Sequence, residues 1–122
     1  MSKASRDRFI IIEFPVFSSY CVHVEFTKDI QNTMRKYPSI EYTSWSDRED
    51  RDNDAVTVET DSKHMSFIFL KPSCSAGTVA HECWHAVHNM LETMGAELDN
   101  ETVAYHLGYL VDQVTKLRKK RR

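Results

Sequence analysis

Residues 72–95 constrain the chain most, because a helix and both of its boundaries lie within that one window. Pro72, Ser73, Cys74, Ser75, Ala76 and Gly77 form a breaker-rich loop, and Thr78 is the expected N-cap. From about Val79 to Met94, residues Ala80, Cys83, Val87, Met90, Leu91 and Met94 fall on one broad arc, and Gly95 supplies the stop. The adjoining arc carries His81, His85 and Glu92, and His81-Glu82-Cys83-Trp84-His85 reads as an H-E-x-x-H motif. Residues four apart on a helix lie about 40° from each other around the axis, one turn up. His81 and His85 can therefore aim two imidazoles at one point. Glu82, about 100° from His81, can act on a water bound there. Two neutral nitrogen donors and a proton-accepting carboxylate are what a catalytic zinc site uses. The motif thus predicts Zn2+ as cofactor, His81 and His85 as metal ligands, and Glu82 as the catalytic base. Without a metal, the same residues would be ordinary helix histidines and a solvated surface charge.

Catalytic zinc usually holds three side chains and leaves one position for water. Leu98-Asp99-Asn100 opens a second helical stretch from Glu101 to about Arg118, with Val103, Leu107, Leu110, Val114 and Leu117 at helical spacing. Glu101 lies nearly opposite that stripe, on a face shared with Ala104, Tyr105 and Gly108. The two small residues suit close approach of another helix, so Glu101 is the expected third ligand. Tyr105 has two readings: a donor to a substrate oxyanion, or a packing residue against the first helix. His88 is expected at the rim, and Cys74 as a loop residue that could sit near the metal. His106 is expected at the surface or core edge. His23 and His64 fall in strand-like segments and share no metal spacing.

With His81, Glu82, His85 and Glu101 identified, the chain resembles the gluzincin metallopeptidases, in which H-E-x-x-H is followed by a glutamate on the next helix. Asn100-Glu101-Thr102-Val103-Ala104-Tyr105 is similar to the segment that carries the third zinc ligand there. Gly77-Thr78-Val79-Ala80-His81-Glu82 and Asp99 through Tyr109 look like stretches of minimal gluzincin-type domains and small phage-encoded metallopeptidase-like proteins. The resemblance covers roughly the C-terminal half at motif level, and the N-terminal half only by the order of its elements. It departs at Tyr105, where larger gluzincins place an acidic residue. It implies zinc-dependent hydrolysis of a peptide or protein substrate. The alternative is a catalytically idle, zinc-stabilised binding or regulatory protein on the same scaffold, since a fold does not guarantee activity.

Upstream, Phe9 to Phe17 and Tyr20 to Phe26 are rich in β-branched and aromatic residues and read as strands, with Pro15 marking an edge or bend. Asp29 to Tyr37 reads as a short helix ended by Pro38, and Trp45 to Asp54 as an acid-rich connection. Ala55 to Glu59 and Met65 to Leu70 read as a hairpin around Asp61-Ser62-Lys63. The strand Met65 to Leu70 is expected to rim a substrate cleft, with one edge open to an extended peptide, which makes Ser66 and Phe67 substrate-binding residues. The predicted fold is α+β: a small, twisted, mostly antiparallel sheet packed on helices, the zinc helix followed by the glutamate helix.

Length and composition bound the rest. At 122 residues and 41% hydrophobic, the sequence fits a single domain, 1–122, with an ordinary core. A net charge of -2 gives no general attraction to nucleic acid, and the basic tail 116–122 is the only hint of one. Three unpatterned cysteines argue against a disulfide framework and suit a reducing compartment. No apolar run approaches a membrane span, and Glu13 interrupts Phe9-Ile10-Ile11-Ile12 too early for a signal sequence. A cytoplasmic location is expected, the host cytoplasm if the chain is phage-encoded.

Overall fold

Alternating side chains give one four-stranded sheet two unlike faces. The computed structural model describes residues 8–17, 19–37, 54–60 and 64–120. The strands are β1 (Arg8–Glu13), β2 (Cys21–Phe26), β3 (Ala55–Glu59) and β4 (Met65–Leu70), in the order β1-β2-β4-β3. β1 runs antiparallel to β2 and β3 antiparallel to β4, while β2 and β4 run parallel. The helices are α1 (Ile30–Met34), α2 (Ala76–Met94) and α3 (Asn100–Lys120). The chain is therefore α+β with a mostly antiparallel sheet, as its sequence predicts. The acid-rich connection, apart from Asp54, and the Asp61-Ser62-Lys63 turn lie outside the described residues. So do Arg121 and Arg122 of the basic tail.

Period-two alternation sorts the core. Ile12, Val22, Val24, Phe26, Ala55, Ile68 and Leu70 share one buried cluster with Val79, Cys83, Ala86, Val87, Met90 and Leu91 of α2 and Leu110, Val114 and Leu117 of α3. The opposite face carries Val56, Phe67 and Phe69 against Ile30 and Met34 of α1. On that face His23 and Glu25 are also buried. His23 Nε2 lies 3.1 Å from Glu25 Oε1, and the Tyr37 hydroxyl donates to the same oxygen at 2.7 Å. Burial alone would raise the Glu25 carboxyl, but these hydrogen bonds and the nearby His23 and Lys36 outweigh it and hold the group below its usual value.

Several boundaries differ from those read in the sequence. β1 ends at Glu13 rather than continuing to Phe17, because Pro15 offers no N–H to a ladder. β4 does not rim a cleft: it is paired on both sides, with β2 and with β3. Ser66 is fully buried and hydrogen-bonded to the Tyr20 hydroxyl. Phe67 is buried among His23, Tyr37 and Phe69. Neither can meet an extended substrate, because an interior strand has no free edge. The outer strand on that side is β3, and among the described residues no strand pairs with its far edge.

His106 is also deeper than expected, at 3% exposure. Its Nδ1 lies 2.9 Å from the Thr102 carbonyl and must donate to it. Its Nε2 is buried with no hydrogen-bond partner among the described residues, and the ring packs on Phe14 and Phe17. The loop after β1 covers this side of α3, which a helical projection alone leaves open. Among the described residues, no helix is long and apolar enough to cross a membrane.

The C-terminal basic run has a structural duty. Arg118 Nη1 donates to the Cys74 carbonyl at 2.7 Å, lies 3.4 Å from that of Pro72, and its guanidinium sits 5.6 Å from the Phe26 ring centre. These contacts join the last turn of α3 to the loop entering α2. Arg118→Ala should therefore cost about 1–2 kcal/mol in urea unfolding, as for lost charge-assisted hydrogen bonds. Lys119→Ala, at an exposed position, should change stability by less than about 0.5 kcal/mol.

Candidate metal centre

The H-E-x-x-H residues owe their directions to how α2 starts and which face it buries. Ser75, not Thr78, is the N-cap: its backbone is extended, and its hydroxyl accepts from the Thr78 N–H at 3.1 Å. The helix so begins at Ala76, earlier than expected, with Gly77 inside its first turn. At the other end Gly95 is left-handed, with φ 71°, and its N–H reaches back to the carbonyls of Glu92 and Leu91. Burying Val79, Cys83, Ala86, Val87, Met90 and Leu91 turns His81, Trp84 and His85 outward.

The two imidazoles meet. His81 Nε2 and His85 Nε2 lie 3.2 Å apart, with ring planes at 78°. Two nitrogens each about 2.0–2.1 Å from a tetrahedral zinc ion would be separated by about 3.3 Å. Chemistry and spacing of the pair both suit zinc. His88 lies away from this point, stacked on Trp84 with ring centres 4.9 Å apart and 4.0 Å from Glu92.

Glu82 points the other way, into the seam between α2 and β3, and is 9% exposed. Thr57 Oγ1 lies 2.6 Å from its Oε1 and 3.1 Å from its carbonyl oxygen. The seam continues with Glu59, which accepts from Thr93 at 3.3 Å, and with Asn89, which donates to Ser66 at 3.4 Å. His81 and Glu82 also line an open cleft of about 470 Å³ with Asp54, Ala55, Ser75, Gly77 and Thr78. Glu82, one histidine and the helix entrance thus share one concave surface.

Glu101 is not brought to the histidines, and the reason is geometric. After His85, α2 continues nine residues to Met94, about 14 Å at helical rise. The chain then turns within residues 95–99, and α3 returns alongside. The Arg118–Cys74 bond fixes the end of α3 beside the start of α2. Glu101 is therefore at the far end of this antiparallel hairpin, beyond the reach of a carboxylate. Its face does not pack either. Glu101, Ala104, Tyr105 and Gly108 are exposed, and a Cβ added at Gly108 would meet nothing within 4 Å. Tyr105, 54% exposed, packs edge-on against His106 rather than against α2.

The thiols do not complete the set. Cys83 is buried in the core, and burial, helped by Glu82, pushes its thiol up to about 12. Cys74 is buried too, and desolvation raises it despite Arg118 nearby. Among the described residues, no group of three or more His, Cys, Asp or Glu is arranged to hold a metal. What fits zinc is the histidine pair alone, while Glu82, next in sequence to His81, is held by Thr57 in the seam. Thr57 and Asp54 escape a sequence reading. The only local signal for Thr57 is the small and polar set Ala55, Thr57 and Glu59 alternating with Val56 and Val58, which looks like a solvent face.

Compared with protein-family models, curated proteins and solved structures, the chain matches none. The hairpin geometry yields a direct test by zinc titration. His81→Ala or His85→Ala should weaken zinc binding at least about tenfold, or about 1.4 kcal/mol. Glu101→Ala should leave it within about twofold, whereas a third ligand would cost far more.

Proposed function

We propose that this chain is a zinc-dependent hydrolase of peptide bonds, acting on a peptide or protein in the cytoplasm. The observation that carries this reading is the 3.2 Å approach of His81 and His85, one residue from a carboxylate seated in the wall of an open cleft. His81 and His85 would hold the ion through Nε2. Zinc, when bound, polarises a substrate carbonyl and makes a water acidic near neutral pH.

The protein's own part is proton transfer and positioning. Glu82 accepts a proton from the attacking water as the water oxygen bonds to the carbonyl carbon. It returns that proton to the amide nitrogen as the carbon–nitrogen bond breaks, so a carboxylic acid and an amine leave. Thr57 occupies Oε1, and the rest of the carboxylate's acceptor capacity serves this transfer. Among the described residues, His81 and His85 are the side chains that would hold the ion.

One observation favours the alternative, a zinc-stabilised binding or regulatory protein: among the described residues, no carboxylate joins the histidine pair as a third ligand. The two readings part on Glu82. Zinc-loaded protein should cleave an unstructured protein or mixed peptide pool. Glu82→Gln should lower kcat at least about a hundredfold with zinc content unchanged. His85→Ala should lose zinc and turnover together. Bound zinc without hydrolysis in the natural chain would favour the binding protein. Equal zinc loss in Glu82→Gln and His85→Ala would break the division of roles.

A further inference from the structure

We infer that Thr57 is a positioning residue that aims the Glu82 carboxylate from the outer strand of the sheet. This rests on the reading of Glu82 as the base. A single threonine hydroxyl has one proton, and the carboxylate oxygen at 2.6 Å is nearer than the carbonyl at 3.1 Å. The stronger bond therefore goes to the charged group. Threonine is β-branched, so its χ1 has few choices, and β3 is fixed by its antiparallel ladder to β4. The hydroxyl is thereby anchored to the sheet rather than to α2.

Glu82 itself is a flexible side chain with several rotamers. Binding Oε1 from outside the helix removes most of them and leaves the other oxygen unclaimed by Thr57. Pre-set geometry of this kind acts on the chemical step rather than on substrate or metal affinity. The same-face neighbours Ala55 and Glu59 cannot substitute: Ala55 has no polar side-chain group, and Glu59 is turned to Tyr20 and Thr93. A purely structural Thr57 would merely satisfy a buried carboxylate, and its loss would lower stability without slowing the folded enzyme.

Thr57→Val removes the hydroxyl at nearly constant shape, and Thr57→Ser restores it. With saturating zinc, Thr57→Val should lower kcat about tenfold or more, with KM and zinc affinity within about twofold, and Thr57→Ser should recover most of the rate. A second readout needs neither zinc nor activity. In zinc-free protein, the shift in urea midpoint caused by Thr57→Val should largely vanish when Glu82 is already Ala. Unchanged kcat in Thr57→Val, beside an inactive Glu82→Gln, would overturn the positioning role alone. A midpoint shift of the same size in both backgrounds would overturn the contact. A natural chain that binds zinc but hydrolyses nothing would overturn the catalytic reading and the positioning role with it, even if the midpoint cycle shows the two residues coupled.

Discussion

Burial of one face of α2 against the sheet is the contact on which the candidate site depends. Val22, Val24, Ile68 and Leu70 share a cluster with Val79, Cys83, Val87, Met90 and Leu91, all nearly or wholly inaccessible. Burial of this kind yields roughly 1.5–3 kcal/mol per large side chain, before the entropy of ordering is charged against it. Once that face is fixed, helical geometry leaves no freedom to the others. The histidines at 81 and 85 must look outward, and Glu82 must enter the seam over β3. The core chooses the directions of the chemistry.

That seam is where local and global demands differ. A helix lying on a sheet normally meets apolar side chains, yet β3 offers α2 Ala55, Thr57 and Glu59. The polar groups are tolerated because each has a partner across the gap: Thr57 with Glu82, Glu59 with Thr93 and Tyr20. Burial still marks the Tyr20 phenol, which is pushed up chiefly by desolvation, with Glu59 adding to it. The other face of the sheet repeats the pattern with His23, Glu25 and Tyr37 inside an aromatic layer. Polar groups enclosed in matched sets suit a sheet this small, because they specify which strand and helix faces meet.

What the sequence could reveal follows the range of the forces involved. The two long helices, the Gly95 stop and the β3–β4 hairpin depend on neighbours close in the chain, and all were readable. The cap is ambiguous in sequence, because Ser75 and Thr78 both suit the role and only the backbone decides for Ser75. Strand order was out of reach: nothing within Met65 to Leu70 says that β2 will pair with its other edge, so Ser66 and Phe67 looked available. The direction in which Glu101 lies is not encoded locally either. Its spacing from His85 is legible, but a short turn after Gly95 reverses the chain and carries the glutamate away from the histidine pair. The role of Thr57 depends on two elements 25 residues apart in sequence, a contact that no periodicity encodes.

The contact of Arg118 with the Cys74 and Pro72 carbonyls closes the open end of the α2–α3 hairpin across 44 to 46 residues of sequence. A hairpin tied only by its turn would fray independently at its two free ends. Here the ends are latched to each other, so the last turn of α3 and the first turn of α2 form one cooperative unit of opening. Their amide protons should exchange with solvent together, at one free energy. The entrance to the cleft, with Ser75, Gly77 and Thr78, then takes its rigidity from a guanidinium on another helix. In dynamic terms, a helix that carries neither histidine sets how often their cleft loosens.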